Sequence, residues 1–150
     1  MGAVTYPDAN VVDFINENFV PIQLAYDAKP ESVDYNVKWT PAAIILDRDG
    51  KEHSRNVGFL TPDDFIPFMM LGMGKTSFDY DDFDLALDCF NRIMDEYPQS
   101  KSAPEAFYMR GVCLFKKTHE GKPLKEAYEE LVKRYPDGEW TERASPYRLL

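Results

Sequence analysis

Two stretches in the second half of the chain repeat, and this repetition limits the available folds more than any other feature. Laying Tyr97-Pro98 on Tyr135-Pro136 requires a shift of 38 residues, and the same shift puts Phe90 on Tyr128, Ile93 on Leu131, Met94 on Val132 and Ala106 on Ala144. A second pair of anchors, Leu71-Gly72 and Arg110-Gly111, gives a shift of 39. Periods of this size arise when a two-helix unit cannot bury its apolar face alone and stacks on a copy of itself. The pattern inside each copy agrees. Phe83, Ala86, Leu87, Phe90, Ile93, Met94 and Tyr97 form one helical stripe, and Leu124, Ala127, Tyr128, Leu131, Val132 and Tyr135 form another, both at i, i+3, i+4, i+7 spacing. A helix is expected between them from Ala103 to Lys117. Thr61-Pro62-Asp63-Asp64 opens one more, with a hydroxyl cap, a proline in the first turn and acids against the helix dipole. Pro67 removes one of that helix's donors and is expected to kink it.

The first half alternates short signals. Val11, Val12, Phe14, Ile15 and Phe19 sit at helical spacing behind the candidate caps Asp8 and Asn10. Phe19 to Tyr26 reads as a strand, with Pro21 at its start where a missing donor is tolerated. Lys29 to Asn36 is polar and reads as a short helix. Ala42 to Leu46 is a continuous apolar run, the pattern of a buried strand. Asp49-Gly50 follows as a hairpin turn, expected as type I′ with both central residues at positive φ. Glu52 to Val57 is the returning strand and Gly58 ends it.

The net charge of −9 and pI near 4.7 weigh against nucleic acid as a partner, because phosphate backbones are bound through Lys and Arg. They weigh equally against an anionic membrane. No apolar run approaches the roughly 20 residues of a membrane helix, and the N-terminus lacks the basic and apolar stretches of a signal peptide. Read literally, the chain is cytoplasmic. Its hydrophobic fraction of 44% is that of a packed protein rather than a disordered one.

Residues that could carry chemistry are few. Cys89 and Cys113 lie 24 apart in apolar surroundings that do nothing to lower a thiol pKa, so core packing outweighs a redox switch. No Cys or His pair has metal-ligand spacing, and no metal or cofactor is implied. His53 and His119 lack ligand-type neighbours and are read as surface residues. The acids Asp79, Asp81, Asp82 and Asp84 lack the glycine turn and the bidentate acid of a calcium loop, since Phe90 stands at the twelfth position. They are read as charges at a helix start. Gly72-Met73-Gly74-Lys75-Thr76 lacks the first glycine of a phosphate loop and follows no strand. Met69, Met70 and Met73 are read as packing residues between the two halves.

Two resemblances sharpen these readings. Phe68-x-x-Leu71-Gly72, Phe107-x-x-Arg110-Gly111-x-x-Leu114, Phe83-Asp84-x-Ala86-Leu87-x-x-Phe90 and Tyr97-Pro98 resemble the tetratricopeptide repeat family, in which small residues let paired helices approach. The period exceeds that family's 34 residues, and Thr118 to Pro123 reads as an insertion. Tyr35-Asn-Val37-x-Trp39-Thr40-Pro41-Ala-Ala-Ile-Ile-Leu-Asp47, Asp49-Gly50 and Val57-Gly58-Phe59 resemble the back part of a thioredoxin-like domain. That resemblance implies a cis Thr40-Pro41 bond and an old substrate groove at Trp39, Thr40 and Pro41. The chain lacks the family's Cys-x-x-Cys and its N-terminal strands, which would lie before Met1. The expected fold is α/β: residues 1–60 form a partial thioredoxin-like sheet and residues 61–150 an all-α tetratricopeptide-like region, with helix 61–78 shared. The expected role is non-catalytic binding of a protein or peptide partner. The alternative is the C-terminal portion of a thiol–disulfide oxidoreductase whose Cys-x-x-Cys lies upstream. An incomplete sheet also predicts strand rearrangement or a homodimer formed through it.

Overall fold

The computed structural model describes residues 1–150, which form two compact units, Met1–Ile66 and Pro67–Leu150. The division falls inside one helix, so each unit is described by itself.

The first unit opens with α1 (Ala9–Asn18), followed by the single turn α2 (Glu31–Asp34) and the strands β1 (Ala42–Leu46) and β2 (Glu52–Val57). Asp8 caps α1 by accepting the amides of Asn10 and Val11 at 3.0 and 3.2 Å. Of the apolar stripe on α1, Val11 alone is fully buried. The sheet has two antiparallel strands, with Ala42 opposite Val57 and Ile45 opposite Ser54.

Phe19 to Tyr26 is not a strand. Phe19 is extended, Tyr26 already lies in a turn, and no backbone hydrogen bond engages Val20 to Leu24, so no ladder forms. The segment's apolar side chains face solvent, with Val20 at 89% and Ile22 at 78% of full exposure. Alternation of Val, Ile, Leu and Tyr supplies strand propensity but not a neighbour, and pairing with one is what stabilises a strand.

The hairpin is present, but its turn is not type I′. Gly50 alone has a positive φ, 81°, and the connection spans Asp47 to Lys51. The carboxylate of Asp47 organises it: Oδ1 accepts the amides of Asp49 and Lys51, each at 2.9 Å, an Asx arrangement that replaces the tighter turn. A register shift between Ile45 and Leu46 absorbs the odd residue. Oδ2 of the same carboxylate meets His53 Nε2 at 2.8 Å. His53 is therefore buried rather than a surface residue. It is the extra residue at the register shift, where alternation breaks, so that it and the adjacent Ser54 are both buried and its ring meets Asp47. Arg55 ties β2 to the preceding turn, donating to Tyr35 O and to Glu52, each at 2.6 Å.

Helix α3 (Pro62–Asp79) runs through Pro67 without interruption. The carbonyl orphaned by that proline is four residues back, on Asp63, which lies in the exposed first turn where water can satisfy it. Met69 and Met70 are buried on this helix, and Met73 is half-buried. In the second unit the rest of α3 is followed by α4 (Phe83–Glu96), α5 (Ala103–Thr118), α6 (Lys122–Arg134), α7 (Glu139–Ala144) and a 3-10 turn over Ser145–Leu149. Two glycines set the helix spacing. A Cβ on Gly74 would lie 2.5 Å from the Phe90 ring, and one on Gly111 would lie 2.6 Å from Ala127 Cβ and 3.0 Å from Pro123 O. Gly74 is thus a close-approach glycine of the first hairpin, two positions beyond the equally buried Gly72 of the motif. No helix is long and apolar enough to cross a membrane.

Candidate partner-binding groove

Three helices of the second unit build an open groove. Helix α4 starts where Asp82 accepts the amide of Leu85 at 3.2 Å, and its buried stripe is Ala86, Cys89, Phe90 and Ile93. Prolines 104 and 123 stand in the first turns of α5 and α6, where a missing amide costs nothing. Helix α5 closes at His119, exposed and left-handed with φ 60°. Gly111 lets α6 settle against α5.

With α5 as floor and α4 and α6 as walls, the groove encloses about 470 Å³. Asn91, Met94 and Asp95 come from α4, Phe107 and Arg110 from α5, and Glu130 and Arg134 from α6. Its apolar part is Met94 and the edge of Phe107. Its polar part is held in place: Arg110 Nε donates to Asn91 Oδ1 and Arg134 Nε to Glu130 Oε2, both at 2.8 Å. The Arg134 guanidinium also sits 5.2 Å from the centre of the Phe107 ring, a cation–π geometry that fixes the side chain. The hydrogen bond from Arg134 holds the Glu130 carboxyl below its ordinary value, so the pair stays ionised. Tyr135 supports the floor, 6.0 Å from Phe107 ring to ring, while its hydroxyl donates to Pro98 O at 2.6 Å.

The residues singled out from sequence lie elsewhere. Trp39, Thr40 and Pro41 belong to the first unit and do not line this groove. Trp39 is 72% exposed, the Thr40–Pro41 bond is cis, as is Lys29–Pro30, and Pro41 O accepts the Gly58 amide at 2.8 Å. Cys89 and Cys113 are buried free thiols, each pushed up to about 11 chiefly by burial, the reverse of what a nucleophilic thiol needs. Of the Asp79–Asp84 acids, Asp82 caps α4 and Asp84 in its first turn pairs with Lys117, whereas Asp79 ends α3 and Asp81 takes the left-handed turn between the helices. No group of three or more His, Cys, Asp or Glu side chains is arranged to hold a metal. The Gly72–Thr76 string is interior helix: Thr76 Oγ1 donates to Gly72 O at 2.8 Å, and Lys75 pairs with Glu105 at 2.9 Å. The groove itself was not foreseen, although Glu130 and Arg134 at i, i+4 and Phe107 and Arg110 at i, i+3 each mark one helix face.

The sequence model of the tetratricopeptide repeat family matches two stretches, residues 69–100 and 105–138. The matched stretches take in most of α3 with α4, and then α5 with α6, so these two helix pairs resemble such repeats, while α7 lies beyond them. Residues 101–104 separate the matches, so surplus length sits in the link between repeats. Thr118 to Pro123 is not an insertion: three residues, 119–121, join α5 to α6. No curated protein and no solved structure matches the chain.

Proposed function

We propose that the chain is a non-catalytic interaction protein that takes an extended peptide segment of a partner protein into the groove between α4, α5 and α6. The observation that carries this is the pairing of an apolar strip, Met94 on one wall and the edge of Phe107 on the floor, with guanidinium groups already fixed beside it. Arg110 is oriented through Nε by Asn91 and keeps its terminal N–H groups for a partner's carbonyl or carboxylate. A side chain seated on Met94 would be anchored by apolar burial, and Arg110 would set the register of the backbone beside it. Two repeats of a helical-hairpin array supply the rigid frame such a site needs.

The first unit acts as an appended platform. Its order of elements from Glu31 to Phe59 (short helix, Thr-Pro, apolar strand, glycine turn, returning strand) supports a thioredoxin-like ancestry. Trp39, Thr40 and Pro41 would then mark a vestigial groove.

The test is selection of binding peptides from a random display library on the full chain, with affinities then measured on variants. Arg110→Glu and Met94→Asp are expected to weaken the selected peptides at least tenfold, and Trp39→Ala to leave them unchanged. Loss of binding on Trp39→Ala with the groove variants unaffected would move the site to the first unit. Failure to select any binder overturns the proposal.

A further inference from the structure

The groove between α4, α5 and α6 does not end at its first cavity. A second, of about 240 Å³, shares Met94, Phe107, Arg110 and Glu130 with it and adds Glu126, Ala127 and Glu129 from α6. Met94 and Phe107 are common to both, whereas Asp95 lines only the first cavity and Glu129 only the second. An apolar strip thus lies between two acids, one from each wall.

The charges along this channel do not balance. Asp95, Glu126, Glu129 and Glu130 line it against the two guanidiniums of Arg110 and Arg134. Glu130 and Arg134 neutralise each other at 2.8 Å, and Lys122 offsets Glu126 at 3.6 Å from one turn away. Arg110 is held by the neutral amide of Asn91 and keeps its positive charge. Asp95 and Glu129 are exposed and make no hydrogen bond or ion pair within the chain. An acidic segment would therefore meet two unpaired carboxylates and one cation, and a basic segment meets the reverse. The net charge of −9 acts in the same direction over longer range. Lys and Arg also suit the strip itself, because their methylene stems cover apolar surface while the charged head stays in water.

Granted that this groove is the binding site, we propose that the partner segment is basic, with a Lys or Arg on each side of the apolar residue seated on Met94, one facing Asp95 and the other Glu129. Arg110, between them, donates to the segment's backbone carbonyls, which a carboxylate in its place would repel.

A random dodecapeptide display library panned on the full chain separates the charge of the occupant from the place where it binds. Met94→Ala removes apolar surface without adding charge, so binders that it weakens are groove ligands. These are expected to carry Lys or Arg on both sides of an apolar residue and to lack Asp and Glu there. Asp95→Lys and Glu129→Lys alter exposed positions, and each should weaken such ligands about fivefold, the scale of an exposed ion pair. A peptide with Glu in place of the Lys that faces Asp95 should bind Asp95→Lys better than it binds the parent. Association should slow as NaCl rises, because opposite charges steer the encounter. Groove ligands that are neutral or acidic, or that are indifferent to both reversals, overturn the basic partner and leave the groove as the binding site. The absence of any ligand that Met94→Ala weakens overturns both.

Discussion

Replacing Gly111 by alanine tests the packing of the second unit at its tightest point. The new Cβ would lie 2.6 Å from Ala127 Cβ and 3.0 Å from the carbonyl oxygen of Pro123. Neither obstacle can swing away, because one is the first atom of a side chain and the other is helix backbone. Overpacking of a core costs about 1–3 kcal/mol, and obstacles of this kind place the cost near the top of that range. Alanine returns about 1 kcal/mol through its better helix propensity. The net is a loss of about 2 kcal/mol, a large part of the roughly 5–15 kcal/mol that holds a domain folded. With a urea m-value of about 1–3 kcal/mol/M, the midpoint followed by far-UV circular dichroism should fall by about 1 M. Removing the opposing methyl with Ala127→Gly should be less harmful in the Gly111→Ala background than in the parent, with a coupling on the order of 1 kcal/mol. A Gly111→Ala protein that unfolds at the parental urea concentration or above would refute the claim that this glycine exists for helix approach.

Three further outcomes follow from the same structure. Asp47→Ala removes a buried hydrogen-bond partner of His53 together with the acceptor for the Asp49 and Lys51 amides; it should cost about 2 kcal/mol locally, read as faster exchange of those two amides in NMR. Cys89 and Cys113 should react with iodoacetamide at pH 8 on the order of a hundredfold more slowly in the folded chain than in urea. Unfolded thiols titrate near 9.0 and folded ones near 11, so above pH 9 the unfolded state binds fewer protons. The thiols' effect on stability is therefore nil below about pH 9 and increasingly unfavourable toward pH 11, visible as a falling melting temperature that a Cys89→Ala, Cys113→Ala double variant should show less of.

The helices of the second unit were legible because their signal is local. Phe90, Ile93 and Leu131 are wholly buried, and each lies on a stripe that can be counted in the sequence. The hairpin was legible for the same reason, since Ala42–Leu46 and Asp49-Gly50 announce strand and turn within ten residues. What escaped depended on partners distant in sequence. Val20–Tyr26 has the composition of a strand, yet a strand exists only with a neighbour. His53 looked solvent-facing until Asp47 was seen to curl back over the turn. The need for glycine at Gly74 comes from the Phe90 ring of the next helix, which a pattern along one helix does not show. The groove needs Met94, Phe107 and Arg134 from three helices, a convergence that no single periodicity encodes.

The aromatic surroundings of the two tryptophans have a practical consequence. Trp39 stands in water in the first unit, whereas Trp140 in the second is flanked by Tyr108 at 5.1 Å and by the Arg143 guanidinium at 4.8 Å. Its indole leaves that setting when the helices come apart, while the indole of Trp39 changes little. Intrinsic emission is therefore a private optical channel on the second unit, and its transition can be compared with circular dichroism to learn whether the two halves melt together.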